Sequence, residues 1–205
     1  MVGTEQVHQA AIQKVDRKDA GKGALSFETA LKATDGMYTK EEDLLLTSLY
    51  ADCVPLYFWA PTAQLIGLAH AGWQGTIALI GPKMIRKWQD EERVSASDIH
   101  VAIGPCISQA AYEVDDRVIE RIKQACDSTT AEACYRPNKH GRYQLDLREL
   151  NRRLLIQSGV RAAQISTTSL CTAKELSFYS HRQEKGKTGR MMSFIGRSKR
   201  KKGGN

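Results

Sequence analysis

Two side chains able to do covalent or coordination chemistry bracket the most apolar part of this sequence. They are Cys53 and His70, in ADCVPLYFWAPTAQLIGLAHAGWQGT over residues 51–76. A thiol beside an imidazole can serve as nucleophile and base, or both can ligate a transition metal. Asp52 sets a carboxylate next to the thiol, and Gly72-Trp73-Gln74-Gly75 follows the histidine. Glycines there let the backbone approach a bound molecule closely, so Gly72 joins the substrate-binding candidates. Spacing alone leaves a structural reading open, because a buried Cys is commonly a small hydrophobe and a strand-end His is commonly just hydrogen-bonded. His8, between Val7 and Ile12, has less context, and His100 and His140 read as surface residues.

Other clusters carry weaker signals. Gly104-Pro105-Cys106-Ile107-Ser108 ends a strand and could form an anion-binding turn of backbone N–H groups, or a purely structural one. Cys171-Thr172 and SFYSHR at 177–182 bring hydroxyls near a guanidinium. Arg182 and Arg190 could hold phosphate through bidentate contacts, or be surface charges.

The elements that must position these groups can be read from apolar spacing. Asp43 to Ala51 and Val54 to Ala60 are strand candidates, and Pro61-Thr62 turns the chain into Gln64 to Ala71, apolar enough for a central buried strand. Ile77, Ile80, Met84, Ile85 and Trp88 define one face of a helix, which Gly81-Pro82 should kink or divide. Ile99, Val101 and Ile103 alternate as a strand. Val114, Val118, Ile119, Ile122 and Ala125 predict a second helix, and Leu147, Leu150, Leu154 and Leu155 a third, stopped by Gly159. Ile165 belongs to a short strand and Met191 to Ile195 to a last one. Residues 16–36 read as an irregular excursion, with Asp35-Gly36 a turn. This irregular order lacks a steady βαβ rhythm, so the expected class is α+β.

Composition narrows the function classes. The chain has 205 residues, 41% hydrophobic and 26% charged, the profile of one globular domain rather than a disordered chain. No run approaches the roughly 20 apolar residues of a membrane span, and the first residues carry no secretory pattern. Five cysteines without a Cys-x-x-Cys pair suit reduced thiols and a cytoplasmic location better than a disulfide framework. Of the +7 net charge, five units come from Arg197, Lys199, Arg200, Lys201 and Lys202. The expected organisation is therefore a domain over 1–196 and a flexible basic tail over 197–205. No specific nucleic-acid or membrane partner is expected.

With these residues placed, a family resemblance emerges. Gln6-Val7-His8, Ala51-Asp52-Cys53-Val54-Pro55, Ala69-His70-Ala71-Gly72-Trp73, Ile103-Gly104-Pro105-Cys106-Ile107, Tyr112-Glu113-Val114, Cys171-Thr172 and Gly189-Arg190 stand in the order of the YlmD/YfiH family, the laccase-domain or polyphenol oxidoreductase group. The resemblance runs from about Glu5 to Ile195. It implies a four-layer α/β/β/α sandwich and one metal ion, usually zinc, on His8, Cys53 and His70. It further implies phosphorolysis of adenosine, inosine, guanosine and methylthioadenosine with phosphate as co-substrate, and deamination of adenosine; copper binding is also ascribed to the family. Members usually carry some tens of residues before the first His motif, so the family's N-terminal segment is expected to be lacking. Gln74 stands where a basic residue is common, and His181 where Tyr is common.

A zinc on two imidazoles and a thiolate keeps an open position, as catalytic sites do. Asp52 is then the proton-shuttle candidate beside catalytic Cys53 and His70, and Arg182 the group orienting phosphate or sugar hydroxyls. Two alternatives remain: a copper-binding polyphenol oxidoreductase, since His2Cys also suits copper, and a metal-free Cys53/His70 cysteine hydrolase. Five histidines are too few for a conventional multicopper oxidase. Asp52 speaks against the hydrolase, since a neighbouring negative charge raises a thiol's pKa.

Overall fold

The structure, a computed structural model, describes residues 1–198. Its strands are β1 (Val2–Gly3), β2 (Ile12–Lys14), β3 (Gly36–Thr39), β4 (Leu46–Tyr50), β5 (Val54–Ala60), β6 (Leu65–Ala71), β7 (His100–Ile103), β8 (Glu113–Val114), β9 (Tyr135–Pro137), β10 (Tyr143–Leu145), β11 (Ile165–Thr167) and β12 (Met191–Ile195). Its helices are α1 (Trp73–Ile77), α2 (Ile80–Glu92), α3 (Asp116–Ala125), α4 (Ser128–Ala133) and α5 (Leu147–Gln157). The expected α+β class holds.

β5 and β6 are apolar but for His70, so neither can lie at a surface. They pair antiparallel, Val54 opposite Ala71 and Ala60 opposite Leu65, at the centre of a six-stranded sheet ordered β11-β7-β5-β6-β3-β2. All seven residues of β6 are buried. Strand alternation then divides two cores. Leu65, Ala69, Val54, Leu56 and Phe58 face the helices and pack with Ile80, Met84, Ile85 and Trp88 of α2. Ile66 and Leu68 face the opposite way, towards Leu46 of a three-stranded sheet ordered β1-β4-β12. The Tyr57 hydroxyl meets Ser193 Oγ at 2.6 Å across the two sheets. The far side of the smaller sheet presents Leu49, Met192 and Phe194 exposed. β8, β10 and β9 form a separate small antiparallel sheet.

The expected break near Gly81-Pro82 occurs two residues earlier. Leu79 adopts a left-handed conformation (φ 63°) between α1 and α2. Pro82 then sits in the first turn of α2, where its missing N–H has no helical partner to lose. The helix expected from Val114 begins instead at Asp116. The Asp115 side chain accepts from the Val118 N–H as an N-cap, which releases Val114 to pair with Tyr143. Gly159 (φ +94°) does follow α5. Arg197, expected to open the tail, is held by the Lys40 carbonyl at 2.9 Å and lies 3.7 Å from Glu42. The rest of the expected tail, from Lys199 onward, lies outside the described residues. Among the described residues, no helix is long and apolar enough to cross a membrane.

Trp88 is the largest fully buried side chain, between Tyr38 and Phe58 at ring separations of 6.0 and 6.1 Å. Trp88→Ala should cost about 3–5 kcal/mol, as large-to-small core changes do, read as a lowered urea midpoint. A loss below about 1 kcal/mol would mean this contact is not a keystone of the core.

Candidate metal centre

Three side chains converge at one end of the space between the six-stranded sheet and the β1-β4-β12 sheet. His70 is the sixth residue of β6, and alternation with Ile66 and Leu68 points it into the inter-sheet layer. Pairing of Val54 with Ala71 brings Cys53, just before β5, alongside Gly72. The chain reaches Cys53 through Asp52, itself left-handed at φ 82°. His8 lies between β1 and β2 with φ 60°, and its ring meets that of His70 edge-on, centroids 4.7 Å apart. The donor atoms of His8, Cys53 and His70 lie within 4.8 Å of one another. His8 is exposed, Cys53 half-buried and His70 buried, so the centre opens towards solvent on the His8 side.

Asp35 stands behind both histidines. Its Oδ1 takes the His70 ring at Nδ1 (2.9 Å) and the His8 backbone N–H (3.0 Å). Its Oδ2 accepts from the N–H groups of Val7 (3.2 Å) and Gln9 (2.9 Å). Burial pushes the Asp35 carboxyl upward, but the His70 ring and the Gln9 and Val7 N–H groups outweigh it and hold it below the usual carboxylate range. An ionised acceptor makes Nδ1 of His70 the donor, leaving Nε2 for a ligand. Sequence reasoning placed Asp35 in a turn and missed this role. No local motif marks it, since its partners lie 26 to 35 residues away.

The donor set fits a metal such as zinc. Two imidazoles and a thiol supply three tetrahedral corners and leave a fourth open. Burial, then Asp52, pushes the Cys53 thiol up to about 12, so without a cation the sulfur stays protonated. Burial and His70 hold His8 below its usual value, which keeps that ring neutral and able to ligate at pH 7. Gly72 leaves the cradle clear. A Cβ there would stand 3.0 Å from Cys53 Sγ and 3.2 Å from His8 Cδ2.

Asp52, the expected proton shuttle, is buried and has both carboxylate oxygens engaged. Oδ1 accepts from the Thr172 hydroxyl at 2.6 Å and Oδ2 from the Arg182 backbone N–H at 2.7 Å. Its carbonyl accepts from Ile107 N–H. Asp52 thereby ties the segments around 107, 172 and 182 to the residue next to Cys53. The Arg182 guanidinium lies 5.2 Å over the Tyr112 ring and donates to the Glu113 carbonyl at 2.8 Å.

The turn at Gly104–Ser108, read as a candidate anion site, has three of its N–H groups engaged by other segments of the chain. Gly104 donates to Pro55, Ile107 to Asp52 and Ser108 to Cys171 Sγ, which makes it structural. His140 is exposed as expected, whereas His100 is half-buried and stacks on Trp59, centroids 5.3 Å apart. All five cysteines are free thiols.

Above the triad opens a cavity of about 870 Å³ lined by His8, Cys53, Gly72, His181, Arg182 and Arg190, with Phe27 and Met192 on its apolar side. It is large enough for a drug-sized ligand. Asp52 and His70 also lie on its wall.

Comparison with known proteins places the chain among relatives of the same fold. A family profile described as multi-copper polyphenol oxidoreductase laccase matches residues 1–198. Purine nucleoside phosphorylase YlmD of Bacillus subtilis is 50% identical over 196 residues, covering 95% of this chain and 70% of that protein. Its namesake from Geobacillus stearothermophilus is 47% identical over 194 residues, covering 94% and 70%. The crystal structure of Bacillus licheniformis hypothetical protein YfiH matches with a TM-score of 0.93 at 45% identity, covering 96% of this chain and 74% of that one. The structure of YlmD from Geobacillus stearothermophilus also gives 0.93, at 47% identity with coverage of 97% and 73%. A match over all the described residues, with relatives at up to 50% identity, establishes that this chain belongs to the multi-copper polyphenol oxidoreductase laccase family, of YlmD/YfiH type.

Proposed function

We propose that this chain is a zinc-dependent purine nucleoside phosphorylase acting on adenosine, inosine, guanosine and methylthioadenosine, and that the same site deaminates adenosine. The observation that carries the reading is the convergence of His8, Cys53 and His70 on the wall of a cavity that also holds Arg182 and Arg190. The names of the similar YlmD proteins support the phosphorolytic assignment. The five free thiols accord with a reducing, cytoplasmic location.

Zinc bound by the triad would supply a Lewis acid that polarises a substrate oxygen or activates water. In phosphorolysis a phosphate oxygen bonds to the ribose carbon while that carbon's bond to the purine nitrogen breaks. The chain's own residues bind and orient. Arg182 is fixed by its stack on Tyr112 and its bond to Glu113, and Arg190 adds a second guanidinium for a phosphate dianion. Gly72, with no side chain, would leave the space beside Cys53 and His8 clear for a bound molecule. Asp52, with both oxygens engaged, contributes by holding Cys53 and Arg182 in register.

Arg182→Ala should raise the KM for phosphate about ten- to a hundredfold, the effect of losing a hydrogen bond to a charged group, with zinc content unchanged. An unaltered KM for phosphate in initial-rate assays would remove Arg182 from the anion site.

The copper-binding polyphenol oxidoreductase reading draws support from the family's description and from the suitability of the same donors for copper. Among the described residues the triad is the one such cluster, which suits a single ion rather than a multicopper array. The metal-free hydrolase is disfavoured by the high pKa of Cys53 and by the engagement of His70 with Asp35. The deciding experiment supplies adenosine with and without phosphate to zinc-loaded and copper-loaded protein and separates the products. Phosphate-dependent adenine release with zinc supports the proposal, and inosine formation supports the deaminase activity. Phenol oxidation confined to the copper form, without nucleoside turnover, would replace it.

A further inference from the structure

Every contact of the Asp35 carboxylate leads to one of the two histidines. We propose that Asp35 is the positioning residue that makes His8 and His70 a single ligand pair, so that metal affinity depends on its two oxygens acting together. The proposal rests on the metal reading above and goes beyond it, because neither the motifs nor the donor set involves position 35.

The division of labour between the oxygens is the argument. Oδ1 serves both ligands, accepting from the His70 ring and from the His8 backbone N–H. Oδ2 holds the N–H groups of Val7 and Gln9, on either side of His8. Three successive N–H groups thus turn inward onto one carboxylate, an anion-binding concavity. That same arrangement stabilises the left-handed His8, whose φ of 60° is unfavourable for a residue with a side chain. The Asp35 carbonyl also accepts from the His70 backbone N–H at 2.7 Å, so His70 is gripped by ring and main chain alike. The side chain of Asp35 is wholly buried, and water cannot replace the carboxylate cheaply.

An amide of the same shape cannot do both tasks. In Asp35→Asn, one orientation keeps an oxygen towards His70 and His8 but sets an NH2 group against the Val7 and Gln9 donors, freeing the His8 segment. The flipped orientation satisfies Val7 and Gln9 but aims the NH2 group at His70 Nδ1. That would make Nδ1 an acceptor, put the proton on Nε2 and remove the lone pair a metal needs. Either way one imidazole is held less well as a ligand while Cys53 is untouched.

The test compares wild-type chain with Asp35→Asn by chelator-competition titration with Zn²⁺ and by absorption spectra with Co²⁺. Wild type should bind one ion with the intense visible bands of a tetrahedral site. Asp35→Asn should bind Zn²⁺ about 10- to 100-fold more weakly, the usual cost of losing an outer-shell partner. Its Co²⁺ form should retain the thiolate charge-transfer band but show weakened visible bands. Unchanged affinity and spectra in the variant would overturn the proposal while leaving the metal site intact. A wild-type chain that takes up neither ion would instead overturn the metal reading and this proposal with it. Should the variant fail to fold, nitrogen-15 NMR of zinc-loaded wild type decides. His70 protonated at Nδ1 and ligated through Nε2 supports the pairing, and ligation through Nδ1 overturns it.

Discussion

Cys53→Ala should abolish zinc binding and reduce phosphate-dependent cleavage of adenosine by at least about a hundredfold, the upper end of what loss of a mere outer-shell partner costs. The thiol is one of three donors within 4.8 Å, and two imidazoles on a solvent-facing site hold zinc far less firmly than a three-donor set. The same change should barely disturb the fold. Cys53 is half-buried, lies at the end of β5 rather than within it, and forms no disulfide. The check is zinc per chain beside adenine release, with the urea midpoint as control for folding. A metal-free Cys53→Ala that still turns over adenosine would show that the thiol is bystander rather than ligand.

Gly72 offers the complementary test, since it adds atoms where Cys53→Ala removes them. Gly72 has φ −66° and ψ 174°, a backbone conformation open to any residue. A substitution there carries no conformational penalty, and its whole effect comes from the occupied space. A Cβ would press on Cys53 Sγ at 3.0 Å and His8 Cδ2 at 3.2 Å, while ligand distances tolerate only about 0.2 Å of change. Gly72→Ala should weaken zinc binding about tenfold or more, the scale on which outer-shell disturbances act. Gly72→Val should eliminate binding and turnover, at a stability cost of about 1–3 kcal/mol from overpacking that leaves the chain folded. Gly141→Ala is the contrasting control. Its φ of +69° makes a side chain strained, but nothing lies within 4 Å. It should lower stability by about 1–2 kcal/mol and leave zinc binding alone. Zinc binding by Gly72→Val equal to wild type would show that the ion does not sit between these side chains.

The parts of the site legible in the sequence are those whose signal is local. Cys53 and His70 stand out as reactive groups at the ends of two otherwise apolar runs, and the observed β5 covers the same residues expected for it, 54–60. Trp88, Ile85, Met84 and Ile80 declare the buried face of α2 through their spacing. His8 has no comparable pattern and entered through family resemblance alone. Asp35 remained hidden because its hydrogen bonds reach 26 to 35 residues along the chain, whereas the adjacent Gly36 reads as a turn. Asp52 was visible, yet its task was not, since Thr172 and Arg182 approach it from 120 and 130 residues away. β1, β2 and β3 span two to four residues each, too short for period-2 alternation to register. Tertiary pairing defines them: β2 runs parallel to β3, and β3 antiparallel to β6.

The measurement closest to the central claim is adenosine turnover by one preparation carried through chelation and zinc reconstitution, with and without phosphate. About one zinc per chain is expected, with adenine release only when both zinc and phosphate are present and activity recovering in proportion to the zinc restored. Turnover that survives complete removal of metal would contradict that claim, and so would a zinc-loaded, folded chain that leaves every purine nucleoside intact.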